Sequence, residues 1–202
     1  MYKEFYIFRH GESTYNIKGL IQGRLNTSVL TEKGKLQAEK IGWYLKDKNI
    51  EIILTSPLLR AKQTAEIANK FLNVSIVEDE RFIEVDVGVV EGMHHTQATL
   101  KYAEDYAKWR DKRNLYPDLC FEGGETKRQV QERVFLGLRD WVEKSDNSVI
   151  AIASHGVMLG QIMVALGVAD EGVDNGSVLH LIFDDDKWIF DGVFSVNEKD
   201  EK

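Results

Sequence analysis

The sequence predicts an α/β fold, a three-layer αβα sandwich with a mostly parallel central sheet and helices on both faces. Three observations carry that expectation. Short apolar runs alternate with longer stretches of helical spacing, the rhythm of βαβ units. Two of the runs end in a histidine: Phe5-Tyr6-Ile7-Phe8 leads into Arg9-His10-Gly11, and Val149-Ile150-Ala151-Ile152-Ala153 leads into Ser154-His155-Gly156. The second run is apolar at every position, as a strand buried on both faces requires.

Residues 3–8 form the first expected strand. A helix follows over 31–48, because Thr31 can cap its first amides and Leu36, Ile41 and Leu45 recur at near-helical spacing. The next strand is expected over 50–55 and the next helix over 58–72, with Pro57 marking its first turn. A strand over 74–77 precedes 81–95, an irregular, glycine-punctuated excursion of a length that is often functional. Residues 96–113 and 127–143 read as helices that cover the sheet, the second carrying Val130, Val134, Leu138 and Trp141. The strand over 149–153 is central, and His155-Gly156 opens a helix through Leu166. Residues 178–183 and 188–194 close the chain as a hairpin around Asp184-Asp185-Asp186, which reads as a turn and not a calcium loop. The charged residues 197–202 are expected to be mobile. With neither repeat nor linker, 1–202 reads as one domain, with 81–126 as a substrate-covering excursion.

Composition narrows the functional classes. A net charge of -7 argues against a nucleic-acid partner, since duplex binding depends on many cations meeting phosphates. It leaves room for a small phosphorylated ligand in a locally basic pocket. No segment approaches the roughly 20 apolar residues that span a bilayer, so no membrane is expected and the chain reads as soluble and cytoplasmic. Cys120 stands alone and reads as a reduced structural thiol. The adjacent His94 and His95 have no further ligand at metal spacing, so no metal site is expected.

The chemistry is expected where the two strand ends converge, because open α/β sheets bind ligands beyond the carboxyl ends of their strands. An imidazole beside a guanidinium suits an anionic substrate, whose oxygens match the rigid donor fork of arginine. The segment Arg9-His10-Gly11-Glu12-Ser13-Thr14-Tyr15-Asn16 resembles the histidine phosphatase superfamily, which includes the cofactor-dependent phosphoglycerate mutases. Further matches follow in order: Gln22-Gly23-Arg24, Leu30-Thr31-Glu32-Lys33-Gly34, Ser56-Pro57-Leu58-Leu59-Arg60-Ala61, Glu84, Gly123-Gly124-Glu125-Thr126 and Ser154-His155-Gly156.

The resemblance implies a phosphoglycerate mutase-like fold and phosphoryl transfer without metal or cofactor. By it, His10 attacks phosphorus and becomes a phosphohistidine, while Arg9, Arg60 and His155 hold the phosphoryl oxygens. Gly11, Asn16, Gln22, Gly23 and Gly156 complete the phosphate-binding set. Glu84 is the expected proton donor to the leaving group, ahead of its neighbours Asp86 and Glu91, because it follows Arg81-Phe82-Ile83 as in the family. Alone, Arg60 would read as a surface partner of Glu66; the flanking matches make it a cage residue. Glu12 is expected to support the loop and Glu125 to begin or cap the following helix.

Two departures stand out. The stretch Asn26-Thr27-Ser28-Val29-Leu30-Thr31 is one residue longer than the family's usual loop. The extra cations of a mutase are incomplete: their lysine falls on His95, and their paired arginines read Trp109-Arg110-Asp111. The expected activity is therefore hydrolysis of a small phosphorylated metabolite. A cofactor-dependent phosphoglycerate mutase is the alternative, and a noncatalytic phosphoryl-ligand binding protein the second alternative. Specificity is expected to come from 81–113, and a homodimer is compatible with the apolar positions.

Overall fold

Side chains alternate along a strand, and in β1 (Lys3–Arg9) both sets are apolar: Phe5 and Ile7 on one face, Tyr6 and Phe8 on the other. All four are buried, so this strand needs cover above and below. The computed structural model, which describes residues 1–169 and 172–197, supplies it. Between β1 and β2 (Ile52–Thr55) lie a short α1 (Thr14–Ile17) and α2 (Glu32–Leu45), and α3 (Leu59–Asn69) leads to β3 (Ser75–Glu78). The chain then passes through α4 (His95–Trp109) and α5 (Lys127–Lys144) to β4 (Val149–Ser154), and α6 (Gly156–Ala165) precedes β5 (Val178–Asp184) and β6 (Lys187–Phe194).

The sheet order is β3-β2-β4-β1-β5-β6. β3, β2, β4 and β1 run parallel, and β5 and β6 are antiparallel additions at one side. The expected three-layer arrangement is present. Ile41 and Leu45 of α2 and Ala65 and Ala68 of α3 pack with Tyr6 and Phe8 on one face. Val130, Val134 and Leu138 of α5 and Leu159 and Ile162 of α6 pack with Phe5 and Ile7 on the other. At the β5–β6 turn, Asp185 and Asp186 both have positive φ, the backbone of a tight hairpin turn, as the aspartate run suggested. Among the described residues no helix is long and apolar enough to cross a membrane.

Three helices, α2, α3 and α4, end earlier than their apolar periodicity suggests. Asn49, Asn73 and Asn114 take left-handed conformations in the turns after α2, α3 and α4, a geometry asparagine tolerates better than other side chains. α4 also leaves helical geometry at Ala103 (φ 22, ψ -93). The helix cap expected of Glu125 belongs instead to Thr126, which forms a reciprocal capping box with Gln129. Of the expected tail, residues 198–202 lie outside the described residues.

Candidate active site

Four parallel strands deliver the predicted residues to one edge of the sheet. Arg9 ends β1 opposite Ser154 at the end of β4, and the His10 amide donates to the Ser154 carbonyl at 2.9 Å. His10 and His155 therefore leave neighbouring strands together, with ring centroids 5.3 Å apart. Beyond β2, the Ser56 amide extends the ladder to Ala153, and the chain turns into α3, whose second residue is Arg60. Beyond β3, Asp79 caps a 3-10 turn at Glu80–Phe82 that leads to Glu84. His10, Arg60 and His155 are 2%, 1% and 0% exposed, so their charges and protons are set by each other and not by solvent.

The hydrogen bonds settle the state of His10. Its Nδ1 lies 2.7 Å from the Gly11 carbonyl oxygen, which can only accept, so Nδ1 carries the hydrogen and Nε2 keeps its lone pair. Arg60 Nε donates to that Nε2 at 3.2 Å, while its Nη1 and Nη2 donate to the carbonyls of Leu25 and Gly23 at 2.9 and 2.8 Å. Burial, then the Arg60 and Arg9 cations, holds His10 well below the ordinary histidine value and thus neutral; the Gly11 carbonyl opposes this only in part. Burial pulls the Arg60 guanidinium down to about 10, which still leaves it a cation at neutral pH.

His155 is neutral for the same reasons: burial first, then Arg60, His10 and Arg9. Its Nε2 lies 2.7 Å from Ser56 Oγ, which already accepts from the Leu58 amide and has its own hydrogen to give. When that hydroxyl donates to Nε2, the imidazole hydrogen sits on Nδ1, and a neutral His155 can donate to an oxyanion. Among the described residues four buried side-chain nitrogen or oxygen atoms have no hydrogen-bond partner, and two of them are His155 Nδ1 and Arg9 Nε. Unsatisfied buried donors are costly, and two at one place suit a ligand rich in acceptor oxygens.

The two histidines give stability a pH dependence of definite sign. Because folding suppresses their protonation below the ordinary value of 6.5, the unfolded chain binds more protons than the folded one as pH falls through that value. Stability is expected to drop on acidification from pH 7 to 5, each histidine adding up to about 1.4 kcal/mol per pH unit. Urea midpoints measured across this window check it, and midpoints that rose on acidification would contradict it.

The remaining predicted residues sit around this centre. The Gly11 amide is taken by Thr64 Oγ1 at 3.1 Å, and its missing Cβ makes room for Gly34 of α2. Asn16 Oδ1 and Gln22 Oε1 both accept from Ser13, so donation through their NH2 groups is the chemistry left to them. Gly23 has φ +47 and a carbonyl held by Arg60. Gly156 opens α6 against the Arg9 guanidinium, which a Cβ there would meet at 3.2 Å. Glu84 takes the amides of Val85 and Val157 on its two carboxyl oxygens, at 3.0 and 3.3 Å. The longer loop also supports α3, since Asn26 Oδ1 accepts from the Leu59 amide where Leu58 offers no side-chain cap.

A cavity of about 310 Å³ opens onto Arg9, Glu84 and Gly156 and is walled by Trp109, Arg110, Lys112, Lys127 and Gln161. Arg110 and Lys112 fall in the expected 81–113 region. Lys127 and Gln161 come from α5 and α6, and their helical positions carry no sequence signal for this role. Also unforeseen is Asn175, whose Nδ2 donates to the His10 carbonyl at 3.0 Å. Arg24, Glu125 and Arg133 form a further group behind Glu84. The arrangement pairs a neutral imidazole lone pair with buried cations and an adjacent carboxyl group, which is suited to transfer of an anionic group.

Comparison with known proteins agrees. The model of the histidine phosphatase superfamily (branch 1) matches residues 5–195. The protein named "Uncharacterized phosphatase PhoE" of Bacillus subtilis is 32% identical over 187 residues, covering 90% of this chain and 89% of that protein. One named "Probable phosphoglycerate mutase GpmB" of Salmonella choleraesuis is 31% identical over 196 residues, covering 94% and 89%. The solved structure of Bacillus stearothermophilus YhfR superposes with a TM-score of 0.85 at 27% identity, covering 94% of this chain and 95% of that one.

Proposed function

The chain belongs to the histidine phosphatase superfamily, and from that premise we propose that it hydrolyses a small phosphomonoester through a phosphohistidine on His10. The observation that supports this most is the neutral His10, with its Nε2 lone pair held under the Arg60 Nε–H. An arriving phosphoryl oxygen takes that N–H, along with donors from Arg9 and His155, and frees Nε2 to attack phosphorus. The P–O ester bond breaks as the N–P bond forms. Glu84 gives its proton to the departing oxygen, and positive charge spreads over the imidazole, where the Gly11 carbonyl at Nδ1–H stabilises it. Water then attacks phosphorus, its proton passes to the Glu84 carboxylate, and inorganic phosphate leaves with His10 neutral again. No metal or cofactor enters this sequence. The organic half of the substrate occupies the cavity walled by Trp109, Arg110, Lys112, Lys127 and Gln161.

Hydrolysis is preferred to isomerisation because two of the positions at which a mutase would carry a cation hold His95 and Asp111 here. The His95 ring is turned to the Tyr106 hydroxyl and lies outside the cavity wall, and Asp111, which lines the cavity, brings a carboxylate paired with Arg113 where the second arginine would stand. Relatives named as mutases keep isomerisation as the second reading. The purified protein should release phosphate from phosphomonoesters faster than it interconverts 2- and 3-phosphoglycerate, with or without 2,3-bisphosphoglycerate. Rapid isomerisation with negligible phosphate release would reverse that ranking, and ligand binding without turnover would place the chain among noncatalytic binders.

A further inference from the structure

Glu84 lies in a loop, beyond a single 3-10 turn, yet proton donation needs its carboxyl group placed to within a fraction of an ångström. What holds that loop is therefore part of the chemistry. Three carbonyls of residues 81–84 accept hydrogen bonds from side chains on other elements. Ser154 Oγ at the end of β4 donates to the Phe82 carbonyl at 2.7 Å. Arg133 of α5 donates through Nη1 to the Arg81 carbonyl at 2.8 Å and through Nη2 to the Glu84 carbonyl at 3.2 Å. Arg24 Nε, from the loop after α1, reaches the same Glu84 carbonyl at 3.3 Å.

The two arginines share one carboxylate, Glu125, and Arg24 also faces Asp86 at 3.9 Å. Glu125 takes Arg133 in a two-point grip, Nε to Oε1 at 2.7 Å and Nη2 to Oε2 at 3.0 Å, and accepts from Arg24 Nη2 at 3.2 Å. The side chains of Arg133 and Glu125 are only 17% and 13% exposed, so this pairing is shielded from the screening that weakens surface ion pairs. α5 also approaches closely at Gly137, where a Cβ would meet Arg81 and Phe82 at 3.2 Å.

We propose that Arg133, oriented by Glu125, is a positioning residue that fixes the Glu84 carboxyl group for proton transfer. Arg133 is not among the residues walling the cavity, so it acts through Glu84 and does not touch the substrate. The planar guanidinium makes four hydrogen bonds in fixed directions, which the single ammonium of lysine cannot reproduce. The proposal rests on Glu84 being the acid of the phosphatase reaction, and the test separates the two.

Wild type, Glu84→Gln, Arg133→Lys and the double variant are compared by kcat/KM, which ends at leaving-group departure and so leaves out the shared hydrolysis of the phosphohistidine, on an alkyl phosphate, whose leaving group needs a proton, and on p-nitrophenyl phosphate, whose leaving group does not. Glu84→Gln should lose activity mainly on the alkyl ester. Arg133→Lys should lower kcat/KM on the alkyl ester by about 10²-fold, the scale of a misplaced catalytic group, with kcat/KM on the aryl ester little changed. The double variant should be no slower on the alkyl ester than Glu84→Gln alone, because both changes remove the same contribution. Glu125→Gln, which keeps the shape but drops the charge and one of the two acceptor oxygens, should follow Arg133→Lys and serves if Arg133→Lys does not fold. Selective loss for Glu84→Gln with equal loss on both esters for Arg133→Lys, or additive losses in the double variant, would overturn the positioning role alone. A Glu84→Gln variant whose kcat/KM is equally impaired on both esters would overturn the acid role and the positioning role together.

Discussion

Replacing His10 with alanine should abolish turnover, lowering the rate by about 10⁴-fold or more, the loss typical of removing a nucleophile. The same variant should yield no acid-labile phosphoenzyme after rapid quench with a phosphorylated substrate. The competing site is His155, and the geometry distinguishes them. His10 Nε2 is the ring nitrogen with a lone pair, because Gly11 holds the hydrogen on Nδ1, whereas Ser56 Oγ meets His155 at Nε2. Persistence of the phosphoenzyme in His10→Ala would assign attack to His155 and require the opposite tautomers. A stability readout accompanies the kinetic one. His10 is a buried neutral imidazole, so its removal should take away up to one proton of the acid sensitivity between pH 7 and 5.

How far the sequence went depended on whether a residue's neighbours along the chain revealed its place. β1 and β4 were legible because near-continuous apolar runs are hard to accommodate except as strands covered on both faces, and the histidines stand at their ends. Arg60 shows the opposite case. Taken alone it reads as a surface helix residue, yet it is 1% exposed, and only the pattern on both sides placed it in the site. Arg133 had no such help. It lies on a helix with Arg128, Glu132, Arg139 and Asp140, and nothing in the local charge pattern says which of these turns inward. Asn175 and Gln161 were equally silent, since their roles depend on where a distant loop and helix come to rest against β1. The four-residue α1 is too short to show a period, although Ser13 and Asn16 close a capping box at its start.

Gly34→Ala tests how closely the His10 loop is fitted to α2. In an exposed helix this substitution stabilises by up to about 1 kcal/mol, because alanine loses less backbone entropy than glycine. Here the sign should reverse. An added Cβ would lie 2.0 Å from the Glu12 carbonyl oxygen, a backbone atom that cannot rotate away, and Gly11 across the contact leaves only 2.2 Å between its own absent Cβ and the Gly34 oxygen. Thr31 Oγ1, which caps α2 at the Gly34 amide, also donates to the Glu12 side chain, so the helix start and the loop move as one unit. Overpacking of this kind costs about 3 kcal/mol, which leaves a net loss of about 2 kcal/mol after the propensity gain and should lower Tm by roughly 4–8 °C. The displaced segment begins one residue after His10, whose Nδ1 is held by the carbonyl of Gly11. The variant should therefore lose at least about tenfold in kcat at temperatures where it remains folded, since small displacements of a nucleophile are costly. A Gly34→Ala variant with raised Tm and full activity would show that the loop is free to shift, and that the placement of His10 depends on Arg60 and the β1–β4 ladder alone.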